Sequence, residues 1–187
     1  VKDTKKENDL IIHFVDKLPT DMSQEVIAQV DTVKRTLAQN NHSATHLLQS
    51  ALKEVLGDHI QQKGSLVNEK ILRFDFAHFS KMTDEEVLLV EQKVNAKIRE
   101  NISLVEKREL PIQQAKSMGA TALFGEKYGE KVRVIAFDSN YSIELCGGTH
   151  VQATGEIGCF KITTEASVAS GVRRIEAVTA VEAEKII

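Results

Sequence analysis

The sequence predicts an α+β fold: a mainly antiparallel sheet packed against helices, preceded by the remnant of a small β-barrel. Three observations predict it. Strand-like runs, 132–137, 142–145, 157–163 and 172–179, follow one another without the strand–helix–strand alternation of a parallel sheet. Two long stretches, 31–56 and 83–98, carry helix start signals and an apolar stripe. Two short apolar runs near the start, Leu10 to Val15 and Glu25 to Val30, flank a Pro19-Thr20-Asp21 turn and read as a strand pair.

The elements follow in order. Residues 1–8 are polar, and fraying is expected there. The strand pair accounts for 1–30 as a partial small β-domain, since two strands alone are marginal in water. Asp31 is a natural N-cap, and the helix it opens stops at Gly57. Gln61 to Val67 leads through a turn into a strand. Leu72, Phe74 and Phe76 alternate with Arg73 and Asp75, as in a half-buried strand. Thr83 and Glu86 make a capping box ahead of Val87, Val90, Val94 and Ile98. A short helix is expected between Pro111 and Gly119. Residues 181–187 read as the first part of another helix, and 31–180 as the main domain.

Composition narrows the function classes. A chain of 187 residues with 42% hydrophobic and 27% charged residues is an ordinary globular composition. No apolar run reaches the ~20 residues that span a bilayer, and no signal peptide is visible. Cys146 and Cys159 are too few for a disulfide framework, so a reducing cytoplasmic setting is expected. A net charge of −3 argues against a general nucleic-acid binder while leaving room for a local basic site. The chain begins with Val1 rather than Met, so a fragment of something longer is expected.

Two motifs carry chemistry. His42 and His46 form H-x-x-x-H on the first helix, where residues four apart point the same way. At 100° per residue, His46 lies about 40° from His42, opposite the arc of Ala44, Leu47, Leu48, Ala51 and Leu52. The histidines are therefore expected to face a polar cleft. Cys146 and His150 form C-x-x-x-H with Gly147 and Gly148 between them, a spacing that suits a tight loop around an ion. Three imidazoles and one thiolate are the ligand set zinc prefers. A metalloprotease is excluded, because H-E-x-x-H needs a glutamate where this chain has Ser43. Four ligands describe a closed structural site, whereas the polar face and the surrounding small residues favour an open catalytic one. The loop residue His150 is the ligand expected to give way. The other histidines, His13, His59 and His78, read as surface or hydrogen-bonding residues, and Cys159 as core packing.

With these motifs go NHSATHLL (Asn41 to Leu48), QKGSLV (Gln62 to Val67), LRFDF (Leu72 to Phe76), ALFGEKY (Ala122 to Tyr128), ELCGGTHV (Glu144 to Val151), TGEIG (Thr154 to Gly158) and GVRRIEAVT (Gly171 to Thr179). In order, from about residue 9 onward, they resemble the editing domain of bacterial alanyl-tRNA synthetase. The threonyl-tRNA synthetase editing domain shares the zinc motif, but usually has arginine and proline where this chain has Gly147 and Thr149. Free-standing alanyl-tRNA editing proteins are related too. The resemblance makes 31–180 a zinc-containing editing domain and 181–187 the start of a linker helix. It implies an aminoacyl-tRNA hydrolase that cleaves serine or glycine from tRNA(Ala) at zinc held by His42, His46, Cys146 and His150. Gln62 matches a residue lining the pocket, and Thr45, Thr149, Gly147 and Gly148 surround it. With no spare carboxylate in either motif, zinc or a substrate hydroxyl is expected to organise the water. Lys63, Arg73, Lys161, Arg173 and Arg174 are candidates for the tRNA phosphates. Arg173 and Arg174 point to opposite sides of a strand, so at most one of them serves the site. ATP and magnesium would belong to an activation core that lies outside this chain. The alternatives are an RNA-binding module with structural zinc, a threonyl-type or free-standing aminoacyl-tRNA deacylase, and an unrelated zinc hydrolase of small molecules.

Overall fold

The computed structural model describes residues 1–8, 10–122 and 128–186. By its internal contacts the chain divides into two units, Val1–Val30 and Asp31–Ile187.

The first unit holds one antiparallel hairpin, β1 (Asp3–Glu7) with β2 (Leu10–Phe14), in register from Asp3↔Phe14 to Glu7↔Leu10. This corrects two expectations. Residues 3–7 form a strand rather than a frayed end, and the partner of the 10–14 run is that strand, not Glu25 to Val30. Asn8 takes φ +54°, so a tight reversal pairs the nearest segments at the smallest loop-closure cost. No closed barrel is formed among the described residues.

The second unit is built on α1 (Thr32–Leu56). The Asp31 carboxylate accepts the Lys34 N–H, and Gly57 at φ +111° ends the helix, as the sequence predicts. Two antiparallel sheets accompany it. The first, in order β3-β4-β9-β8, comprises β3 (Gln62–Val67), β4 (Leu72–Ala77), β9 (Val172–Thr179) and β8 (Phe160–Ala169). The second, in order β5-β6-β7, comprises β5 (Val105–Pro111), β6 (Lys131–Phe137) and β7 (Ser142–Leu145). The sequence reading missed β5, whose VEKRELP has a mostly polar, exposed pattern. It also placed β8 too early: Thr154–Ile157 is a 3₁₀ turn, and Gly158 at φ +76° separates it from the strand. Cys159 therefore sits half-buried at the strand entry, and Phe160 is the core residue.

The α2 helix (Asp84–Arg99) has its complete capping box: Glu86 N–H donates to Thr83 Oγ1, and Thr83 N–H to Glu86 Oε2. Short helices α3 (Ile112–Ser117) and α4 (Ala180–Glu184) complete the unit. One apolar core joins the stripe of α1 (Leu47, Leu48, Leu52) to Phe74 and Phe76 of β4, Ile175 of β9 and Val90 and Val94 of α2. No described helix is long and apolar enough to cross a membrane.

Candidate metal centre

Between Asn40 and Leu52 the α1 helix is buried on nearly every side, which is more than its polar residues suggest. The Asn41 side chain fixes its register: Nδ2 donates to the Asn68 carbonyl at 2.9 Å, and Oδ1 accepts from Thr179 Oγ1 at 2.7 Å. The next residue is His42. It is half-buried, whereas His46, one turn on, is 4% exposed. The polar cleft expected from helix geometry is thus a mostly enclosed pocket.

The other two candidate ligands arrive on the loop after β7. Arg133 of β6 ties that loop down, donating from Nη1 to the carbonyls of Cys146 (2.9 Å) and Gly148 (2.5 Å). Glu106 of β5 holds Arg133 in turn, at 2.5 Å to Nε. Hydrogen bonds from Arg108 and Arg133 keep the Glu106 carboxyl down at about 2. The strand that the sequence reading missed therefore supports the loop.

His42, His46, Cys146 and His150 offer ligand atoms all within 4.8 Å of one another. Cys146 Sγ lies 3.5 Å from His42 Nε2 and 3.3 Å from His150 Nε2. Zinc bonds of about 2.0–2.3 Å at tetrahedral angles put ligand atoms roughly 3.3–3.8 Å apart, so these separations fit. Each imidazole also directs Nδ1 at a protein oxygen. His42 Nδ1 is 3.1 Å from the Thr149 carbonyl, His150 Nδ1 is 3.1 Å from Ser43 Oγ, and His46 Nδ1 is 3.5 Å from Glu144 Oε2. Of these oxygens the Thr149 carbonyl can only accept, so it places the His42 proton on Nδ1 and leaves Nε2 for a metal. The His46–Glu144 contact is long, and neither His46 Nδ1 nor Glu144 Oε1 has a hydrogen-bond partner among the described residues.

Burial lowers the pKa of all three histidines, with His46 well below its usual value and His150 at about 3. Neutral imidazoles are the form that binds metal. His150 is 3% exposed, and its Nδ1 lies against Ser43 Oγ. Gly148 has a steric reason to be glycine: a Cβ there would stand 2.2 Å from His42 Cε1. Nothing lies within 4 Å of the corresponding point at Gly147.

A cavity of about 350 Å³ opens beside the cluster, lined by His42, Thr45, His46, Gln62, Lys63, Gly64, Ser65, Glu144, Leu145 and Cys146. Gln62 and Thr45 thus share a wall with the cluster. Thr45 Oγ1 donates to the Asn41 carbonyl at 2.8 Å, which leaves it able to accept. Thr149, Gly147 and Gly148 line a different depression, with Arg108, Lys131 and Arg133. Of the candidate phosphate contacts, Lys63 lines the metal-side cavity. The others face carboxylates: Arg173 grips Glu165 at 2.5 and 2.6 Å, Arg174 grips Asp75 at 2.7 and 2.8 Å, Lys161 meets Glu91 at 2.9 Å, and Arg73 lies 3.7 Å from Asp75.

One carboxylate escaped the sequence reading, which found none to spare. Glu144 is in the motif itself, two residues before Cys146, and strand alternation turns it inward with Ser142. Burial pushes its carboxyl up to about 8, with Lys53 pulling the other way.

Residues 132–176 match the family described as the threonyl and alanyl tRNA synthetase second additional domain. All 187 residues align with the alanine–tRNA ligase of Cytophaga hutchinsonii at 63% identity, and with that of Bacteroides thetaiotaomicron at 62%. The enzyme of Salinibacter ruber is 53% identical over 178 residues, 95% of this chain. The chain spans about a fifth of these relatives, 21% of the first two and 18% of the third. The matches bear out the resemblance drawn from the motifs. Residues 123–127, within the ALFGEKY stretch, lie outside the described residues.

Proposed function

We propose, on the premise that this chain corresponds along its whole length to a segment of alanine–tRNA ligases, that it is their editing hydrolase. Its reaction is cleavage of the ester joining serine or glycine to the terminal adenosine of tRNA(Ala), in a cytoplasmic setting and as part of a longer polypeptide. One observation carries the reading: three histidines converge with Cys146, and His42, His46 and Cys146 of that cluster line a cavity sized for an aminoacyl group.

Zinc in this ligand set supplies Lewis-acid polarisation and lowers the pKa of water. The chain's own groups do the rest. Gln62 offers an amide to hold the ester or the attacking water. Thr45 Oγ1, its own proton engaged by the Asn41 carbonyl, accepts from a serine hydroxyl. A site built to hydrogen-bond that hydroxyl separates serine from alanine far better than an apolar pocket can. Glu144, with Oε2 3.5 Å from His46 Nδ1, is the side chain that would orient that ring once the contact tightens.

The test is single-turnover deacylation of serine-charged tRNA(Ala), with and without a zinc chelator. Chelator-sensitive release of serine, with alanine-charged tRNA left intact, supports the reading. No release by zinc-loaded, folded protein sinks it. A second reading, structural zinc in an RNA-binding module, draws on the four-ligand set, which is typical of closed sites. Cys146→Ala separates the two: it abolishes hydrolysis with the fold intact under the first and unfolds the protein under the second.

A further inference from the structure

One residue outside both motifs is wired into the cysteine loop at three points. The Arg133 carbonyl accepts the Cys146 N–H at 3.1 Å, and Arg133 Nη1 donates to the Cys146 and Gly148 carbonyls. Within the loop, the Gly148 N–H donates to Cys146 Sγ at 3.4 Å. Each peptide is planar, so fixing its carbonyl also fixes the N–H on its far side. Arg133 thus holds the two peptide planes that flank the one bonded to the sulfur.

The sheet is distorted where Arg133 stands. Lys107 pairs with Val134 and Leu110 with Val132, so Arg108 and Glu109 together oppose Arg133 in a bulge. Glu109 takes φ +55°, a left-handed conformation uncommon outside glycine. Bulges of this kind re-aim side chains beside functional sites. Just before this one, Glu106 Oε1 lies 2.5 Å from Arg133 Nε and 2.6 Å from Arg108 Nε. The Glu106 carboxylate offsets a guanidinium charge that would otherwise oppose a dication. That charge is also only a lesser cause, after burial, of the lowered histidine pKa values. Arg133 lines the depression it shares with Gly147 and Thr149, and not the metal-side cavity. What it contributes there is geometry.

We infer that Arg133 is a positioning residue for the metal centre: by gripping the carbonyls on either side of the Gly148 N–H, with Glu106 steadying the guanidinium, it aims Cys146 Sγ at the three histidines. Lysine carries the same charge without the planar fork that meets Glu106 and both carbonyls at once, so it should not replace arginine here. The inference rests on the metal-dependent hydrolytic reading above.

Cobalt(II), titrated into the metal-free protein, is the probe, because its visible absorption reports thiolate ligation and tetrahedral geometry. Arg133→Met and Arg133→Lys are compared with the parent, with thermal unfolding confirming that each folds. Both should bind cobalt about 10–100-fold more weakly, with the thiolate absorption diminished at saturation. In single-turnover deacylation of serine-charged tRNA(Ala), the loss should fall on the rate constant, with half-saturation by tRNA within about twofold of the parent. Cobalt binding equal to the parent's in Arg133→Met, or restored in Arg133→Lys, overturns the inference. So does a higher tRNA requirement with cobalt binding unaltered, which would make Arg133 an RNA contact. Glu106→Gln decides the matter if neither Arg133 variant folds: it leaves Arg133 in place but unsteadied, and cobalt binding about tenfold weaker supports the inference while unchanged binding overturns it. The two readings fail separately. Cobalt binding that weakens in the variants, but no serine release by the parent, removes the hydrolase and keeps the positioning role. Serine release with equal cobalt binding throughout removes the positioning role alone. A parent that binds no cobalt at millimolar concentration overturns both.

Discussion

Gly148→Ala tests the metal centre through a single methyl group. The new Cβ would fall 2.2 Å from His42 Cε1 and 2.7 Å from Nδ1. To reach the 3.4 Å at which ordinary contact begins, the ring or the loop must retreat by about 1.2 Å. Neither has much freedom. Arg133 holds the loop by the Cys146 and Gly148 carbonyls, and the His42 ring leans on the Thr149 carbonyl at 3.1 Å. Metal–ligand distances tolerate only about 0.2 Å, so a retreat of that size removes His42 from the set. The expected loss of zinc affinity is at least about 100-fold, the upper end of what outer-ring changes alone produce. Overpacking should also cost about 1–3 kcal/mol of stability. Competition with a chromophoric chelator at neutral pH measures the affinity. Gly147→Ala is the control, because its Cβ meets nothing within 4 Å and affinity should stay within about twofold of the parent. If Gly148→Ala binds zinc as tightly as Gly147→Ala, His42 is not a ligand in this geometry and the four-ligand reading falls.

Three further outcomes are expected. Ser43→Ala removes the oxygen that meets His150 Nδ1 and accepts the Val151 N–H, so chelator competition should show zinc binding weaker by about tenfold. Unchanged affinity would show that the hydroxyl plays no part in orienting the ring. Thr83→Ala dismantles the α2 capping box and should lower stability by about 1 kcal/mol in urea unfolding, without touching zinc affinity. The Arg174 hydrogen bonds hold the Asp75 carboxyl below its usual range. That contribution is complete above the unfolded value of 3.8 and is lost as pH falls through the lower folded value. Asp75→Asn should therefore cost about 1–2 kcal/mol at pH 7, allowing for solvent screening. It should also flatten the loss of stability below about pH 4. A parallel acid profile in parent and variant would refute the coupling.

Local signals carried most of the fold. Asp31, Gly57, Thr83 and Glu86 set the helix ends through bonds to their own neighbours, so one-dimensional reading finds them. What it missed depended on partners far along the chain. The polar strand β5 exists because β6 lies beside it, and Glu106 matters because of Arg133, 27 residues on. The hairpin β1–β2 was mispaired because its own turn, with Asn8 in a left-handed conformation, outcompetes a longer loop through Pro19. The candidate ligand pairs could be picked out because each obeys a local spacing. Glu144 was overlooked beside them, since a carboxylate declares itself in sequence only by type, and its burial is a tertiary fact.

The cysteine and the first histidine meet at 3.5 Å although 104 residues separate them in sequence. Any ion held there is a removable cross-link closing a loop of roughly 100 residues, a span over which a covalent cross-link restricts the unfolded chain by about 4–5 kcal/mol. Neither pair makes the candidate site alone, so any such centre has to wait until the loop after β7 has been synthesised and has met α1. A metal bound there would in effect be a completion signal, held only when the two halves of this unit have found each other.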